Sequence, residues 1–77
     1  MNDRDKRLAE FLAEIDAKLL FSVHKGETTI ECHSCNGRTF IVMKFGQGEG
    51  WDIYRPSSES NSIESTLTAT RRYLGLS

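Results

Sequence analysis

An α+β fold is what this sequence predicts: an N-terminal helix, an antiparallel meander of three or four strands and a C-terminal helix, with both helices packed on one sheet face. Three observations carry that expectation. Apolar residues recur at helical spacing near both ends, β-branched and aromatic residues fill the middle, and Asn36-Gly37 sits between two strand-like runs. At 77 residues the chain makes one domain, residues 1–77, which buries only a modest share of its unfolded surface. Help from a partner, a metal or a second copy is therefore expected.

From Asn2 to about Leu20, the apolar residues Leu8, Phe11, Leu12, Ile15 and Leu19 recur every three or four positions, the mark of one helical face turned to a core. Asn2 or Asp3 caps its start. Glu10, Glu14 and Lys18 lie one turn apart and make the opposite face a solvated one of mixed charge. Phe21-Ser22-Val23-His24 alternates before Lys25-Gly26 and suits either a short strand, the reading preferred, or the frayed end of the helix. Thr28 to Ser34 and Arg38 to Phe45 read as strands, and Gly46-Gln47-Gly48-Glu49-Gly50 as a flexible connection. Trp51 to Arg55 is a further strand ended by Pro56. A polar loop, residues 56–62, leads to the second helix, with Asn61 as cap and Glu64 three residues on. Ile63, Leu67, Thr70 and Leu74 form its buried stripe, and Gly75 stops it, with Leu76 folding back onto the last turn.

Taking Asn36 and Gly37 as the two central residues of a hairpin pairs Cys35 with Arg38, His33 with Phe40, Cys32 with Ile41, Glu31 with Val42 and Ile30 with Met43. One sheet face then carries Ile30, Cys32, Ile41, Met43 and Phe45, and this face is expected beneath the helices, together with Trp51 and Ile53. The other carries Glu31, His33, Phe40, Val42 and Lys44, joined by Asp52 and Tyr54. On that reading Phe40, Val42 and Tyr54 form an exposed apolar patch framed by Glu31, His33 and Lys44, the mixture expected of a partner-binding surface. The plainer alternative is that they are ordinary cross-strand pairs covering one another.

Both cysteines lie in Cys32-His33-Ser34-Cys35, and the turn that follows decides their meaning. In a metal knuckle over residues 32–37 both sulfurs point the same way and share one zinc ion, as in half of a zinc ribbon; in a tight hairpin they point to opposite faces. A structural site needs four ligands, which leaves His24 as a third or a dimer pooling four thiolates. The expectation is no cofactor, with zinc on Cys32 and Cys35 as the alternative. Redox use of the pair lacks the helix N-terminus that lowers a thiol's pKa. The glycines at 46, 48 and 50 do not open a helix, so they do not resemble a phosphate-binding loop. No nucleophile can be set against His24 or His33, and the protein is expected to be a non-enzyme.

Ten Lys and Arg against eleven Asp and Glu leave a net charge of −1, which supplies no general attraction to nucleic acid or to a membrane surface. The order helix, three strands, helix is also that of double-stranded RNA-binding domains. Those domains place lysines at the start of the second helix, where this chain has Ser58-Glu59-Ser60-Asn61-Ser62-Ile63-Glu64. The densely charged N-terminus does not read as a secretory signal, and no apolar run approaches the roughly 20 residues of a membrane span. The expectation is a cytoplasmic protein-binding module, an adaptor or an inhibitor acting on a protein partner or by self-association, of a size and style compatible with a phage or mobile-element product. Binding of single-stranded nucleic acid, with bases stacked on Phe40 and Tyr54 and phosphates on Lys44 and Arg38, is the alternative.

Overall fold

The helices and strands read from the sequence occur in the expected order. The computed structural model describes residues 3–46, 49–54 and 62–76. Its elements are α1 (Asp3–Glu14), β1 (Lys18–Lys25), β2 (Thr28–Cys35), β3 (Arg38–Lys44), β4 (Trp51–Tyr54) and α2 (Ile63–Leu74). The four strands form one antiparallel meander in chain order, so β1 and β4 are its edges. Leu8, Phe11 and Ile15 from the first helical segment and Leu67 and Leu74 from α2 meet Cys35, Phe40, Val42 and Ile53 in one core, which places both helices on the same face of the sheet. Among the described residues no helix is long and apolar enough to cross a membrane.

The first helix is shorter than its periodicity predicts, because Asp16 takes a left-handed conformation with φ of 54°. Its amide donates to the Ala13 carbonyl at 3.1 Å and the Ala17 amide to that of Leu12 at 3.0 Å, the paired bonds of a Schellman stop. Leu19 falls one turn beyond Ile15 by coincidence and belongs to β1, which starts at Lys18 and absorbs the short strand expected at residues 21–24. Replacing Asp16 by glycine should stabilise the fold by about 0.5–1 kcal/mol, read as a raised urea midpoint at unchanged slope, since only glycine adopts this φ without strain. At the other end, Gly75 (φ 76°) closes α2 in the same way, with its amide on the Arg72 carbonyl and that of Leu76 on Arg71.

The helix starts differ from expectation in detail. Ser62, not Asn61, caps α2: its hydroxyl accepts from the Ser65 amide at 3.1 Å. Asn61 lies outside the described residues, as do Asn2, Arg55 and most of the loop before α2. Arg7 of α1 bridges Glu64 at 2.9 Å and Glu14 at 3.3 Å, and Arg71 of α2 reaches Glu14 at 2.9 Å. These charges tie the two helices along their exposed side, where solvent screens them.

The first two hairpins are two-residue turns. Lys25 pairs with Thr28 across Gly26-Glu27, where only Gly26 has positive φ, as a type II′ turn requires. Cys35 pairs with Arg38 across Asn36 (φ 54°) and Gly37 (φ 78°), the two left-handed residues of a type I′ turn, and every pair expected from that turn is present. Asn36 also donates its side-chain amide to the Leu74 carbonyl at 2.7 Å, docking the turn on the end of α2. Asn36→Asp should therefore cost about 1–2 kcal/mol in denaturant melts, because it removes that donor and sets a negative charge at a helix C-terminus.

The register is as expected, but the faces of β2 and β3 are exchanged, while Trp51 and Ile53 of β4 lie on the inner side and Tyr54 on the outer as expected. Phe40 and Val42, expected outside, are 5 % and 0 % exposed and sit in the core, and His33 beside them is buried. Ile30, Ile41 and Met43, expected inside, are partly exposed on the opposite face, and Phe45 is exposed beyond the end of β3. Alternation fixes which residues share a face but not which face the helices take, and the two faces carry similar apolar content. The choice is made by packing partners distant in sequence. The β3–β4 register sets Val42 beside Ile53, so the one deeply buried residue of β4 belongs with Phe40 and Val42. Trp51, on the same face, donates its indole N–H to the Arg4 carbonyl at 2.7 Å and so anchors β4 to α1.

Candidate functional site

The residues singled out from the sequence divide into three groups in space. His33, Glu31 and Lys44 form a network on the helix-covered face. The Nε2 of His33 donates to Glu31 at 3.0 Å, Lys44 reaches the other carboxylate oxygen at 3.1 Å, and the His33 ring stacks on Phe40 with centroids 5.5 Å apart. His33 Nδ1 is buried and has no hydrogen-bond partner among the described residues. Burial works to raise the pKa of Glu31, but the hydrogen bonds from His33 and Lys44, with their charge attraction, outweigh it and hold the carboxyl below its ordinary value of 4.5.

A depressed carboxylate contributes stability that is complete above its unfolded pKa and is lost as pH falls through its lower folded value. Glu31→Gln should therefore lower the urea midpoint at neutral pH and flatten the decline of stability below pH 4.5, the ordinary value for this group. This network is how two charged side chains and a histidine are accommodated beneath the helices.

Cys32 and Cys35 form the second group, and they do not converge. The hairpin sends them to opposite faces: Cys35 is buried among the helices, where its thiol donates to the Ile15 carbonyl at 3.3 Å, while Cys32 pairs with Ile41 on the opposite face. Of the two geometries weighed from the sequence this is the hairpin and not the knuckle, and two sulfurs on opposite sides of one sheet do not converge on one ion. His24 joins the Thr29 hydroxyl at 3.1 Å instead of approaching either thiol. Among the described residues no three Cys, His, Asp or Glu side chains cluster as a metal site would require.

The third group is the open face, and of the expected partner-binding residues only Tyr54 belongs to it. Tyr54 is 65 % exposed and lies opposite Ile41. Phe40, Val42 and His33 are withdrawn from any such surface by burial, Glu31 is largely covered, and Lys44 pairs with it on the helix side. Phe40, one of the two rings on which the nucleic-acid alternative stacks bases, is withdrawn with them, and Tyr54 stays exposed.

What the sequence reading missed is the exposed apolar surface of β1. All eight of its residues are exposed, and they include Leu19, Leu20, Phe21 and Val23 at 51 %, 49 %, 55 % and 51 %. Phe21 pairs with Cys32 and Val23 with Ile30, so both continue the open face, and the apolar sequence runs Phe21 and Val23, Ile30 and Cys32, Ile41 and Met43, then Tyr54 across all four strands. The ladder between β1 and β2 shifts register around Leu20, an irregularity at an edge. The one sequence signal for this site was the alternation at Phe21 and Val23, which is consistent with a strand but silent on whether anything covers it.

In comparisons with protein-family models, curated proteins and solved structures, nothing matches this chain.

Proposed function

We propose that this chain is a non-catalytic protein-binding module, an adaptor or an inhibitor, that engages its partner through β1 and the open face of its sheet. The observation that carries this reading is the exposure of four large apolar residues on one edge strand. Soluble monomers ordinarily shorten or charge such an edge, because an apolar strand with an unpaired backbone recruits other chains. A binding partner is the usual reason for keeping one.

The non-catalytic part of the proposal is supported by how both histidines are engaged. His33 is buried on Glu31 and Phe40, and His24 is tied to Thr29 on the strand surface. Neither lies against a cysteine or serine within the described hydrogen bonds. A reducing, cytoplasmic setting is part of the same proposal, supported by two free thiols whose places on opposite faces prevent them from joining each other.

Site-resolved photo-cross-linking tests the reading. A photoreactive residue is introduced at Phe21, at Tyr54 or, on the outer side of α1, at Glu10, and adducts formed in native lysate are compared. Discrete adducts at positions 21 and 54 that are missing at position 10 are expected. Indistinguishable adduct patterns at all three positions would overturn it.

A further inference from the structure

The proposed use of β1 can be taken further, to the chemistry of what it binds. β1 is an edge strand, so among the described residues its outer backbone groups have no strand beside them. On the open-face side of β1 the residues are Lys18, Phe21, Val23 and Lys25, which pair across β2 with Ser34, Cys32, Ile30 and Thr28. The centre of this row is apolar and both ends are cationic. Neither lysine has an acidic partner among the described residues. The strand itself holds no Asp or Glu, and the nearest acids in sequence, Asp16 and Glu27, lie two residues beyond its two ends.

A second copy of the chain is a poor occupant of this edge. Antiparallel pairing of β1 with its own copy over its full length sets Lys18 against the other Lys25 at both ends, and like charges directly opposite oppose pairing. Registers that avoid the clash shorten the ladder. The same two lysines attract a strand whose ends are acidic.

We infer that β1 receives an extended segment of a partner protein as a fifth strand, and that this segment carries the pattern acid-x-apolar-x-apolar-x-acid. The pattern follows from β2, which already meets the same four side chains from the inner side at positions 28, 30, 32 and 34. Main-chain hydrogen bonds supply affinity in this mode of recognition, and alternate side chains supply selectivity. The acidic ends lie over Lys25 and Lys18, and the two apolar residues extend the patch begun by Val23 and Phe21. The inference rests on the proposed function, of which it names the partner's chemistry.

Fluorescently labelled synthetic peptides test it on the full chain. One has the core Glu-Thr-Val-Thr-Val-Thr-Glu, a second replaces both glutamates by lysine, and a third keeps the composition of the first without its alternation. In anisotropy titrations at low salt the first should bind roughly tenfold more tightly than either of the others. The preference should weaken as salt is added. The chain carrying Lys18→Glu and Lys25→Glu should reverse it in favour of the lysine peptide, and both substitutions fall at exposed positions that the fold tolerates. Hydrogen exchange should slow at β1 amides when the first peptide is bound. Equal affinities for the three peptides, no binding at about 1 mM, or protection elsewhere than β1 would each overturn the inference. If that happens while photo-cross-linking at Phe21 still gives discrete adducts, the binding surface stands and only the acidic strand is discarded.

Discussion

Phe40→Ala should leave little folded protein, whereas Ile41→Ala, one residue along the same strand, should leave the fold nearly unchanged. Phe40 is buried in the core that the sheet and both helices share and stacks on His33, so truncation removes its transfer energy and opens a cavity there, a loss of about 3–5 kcal/mol. A chain of this size seldom holds more than about 3–5 kcal/mol in total, so the variant sits at or past the edge of folding. Ile41 lies on the open face and is partly exposed, and its truncation should cost about 1 kcal/mol or less. Phe40→Leu, which keeps most of the volume, gives a measurable intermediate of about 1–2 kcal/mol where the alanine variant does not fold. Urea melts of the three variants decide the matter. Equal losses at positions 40 and 41 would mean that the helices do not choose between the faces as described.

The paired substitution Phe21→Ser and Val23→Ser should have the reverse profile. Both side chains are about half exposed on an edge strand, so stability should change by no more than about 1 kcal/mol. Partner affinity should fall at least ~100-fold, the effect expected when two apolar anchors at the centre of an interface are truncated. The measurement is a thermal melt beside a titration of the cross-linked partner once it is isolated. The same variant should also be less prone to aggregate at high concentration, because it removes half of the exposed apolar strand. Unchanged affinity with an intact fold would shift the interface away from β1, toward Ile41, Met43 and Tyr54.

These two experiments probe different parts of one structural decision. The core takes Phe40, Val42 and Ile53, and in doing so leaves Ile30, Ile41 and Met43 with no helix above them. The open face is apolar because the sheet is apolar on both sides and only one side receives helices. Two amphipathic helices of 12 residues each cover one face of a four-stranded sheet and leave its first strand overhanging.

The local elements were legible because each has a local cause. Asn36-Gly37 dictates a type I′ turn through its two left-handed positions, and that turn alone fixes every pair between β2 and β3. The stripes at Leu8, Phe11 and Ile15 and at Leu67 and Leu74 locate the helices and their buried sides. The end of the first helix was less legible, because Leu19 continues its spacing while the left-handed Asp16 interrupts its backbone, and aspartate enters that conformation without announcing it as glycine does.

By itself, then, the sequence determined the α+β class, the order of elements, the hairpin register and which side chains travel together. Only the tertiary structure decided which of the two sets is buried. Strand alternation is symmetric under exchange of faces, so the decision falls to contacts between residues far apart in the chain: Val42 beside Ile53, Trp51 on Arg4, Asn36 on Leu74, and Glu31 neutralised between His33 and Lys44. The last of these is what lets a charged row lie under the helices and an apolar one face outward.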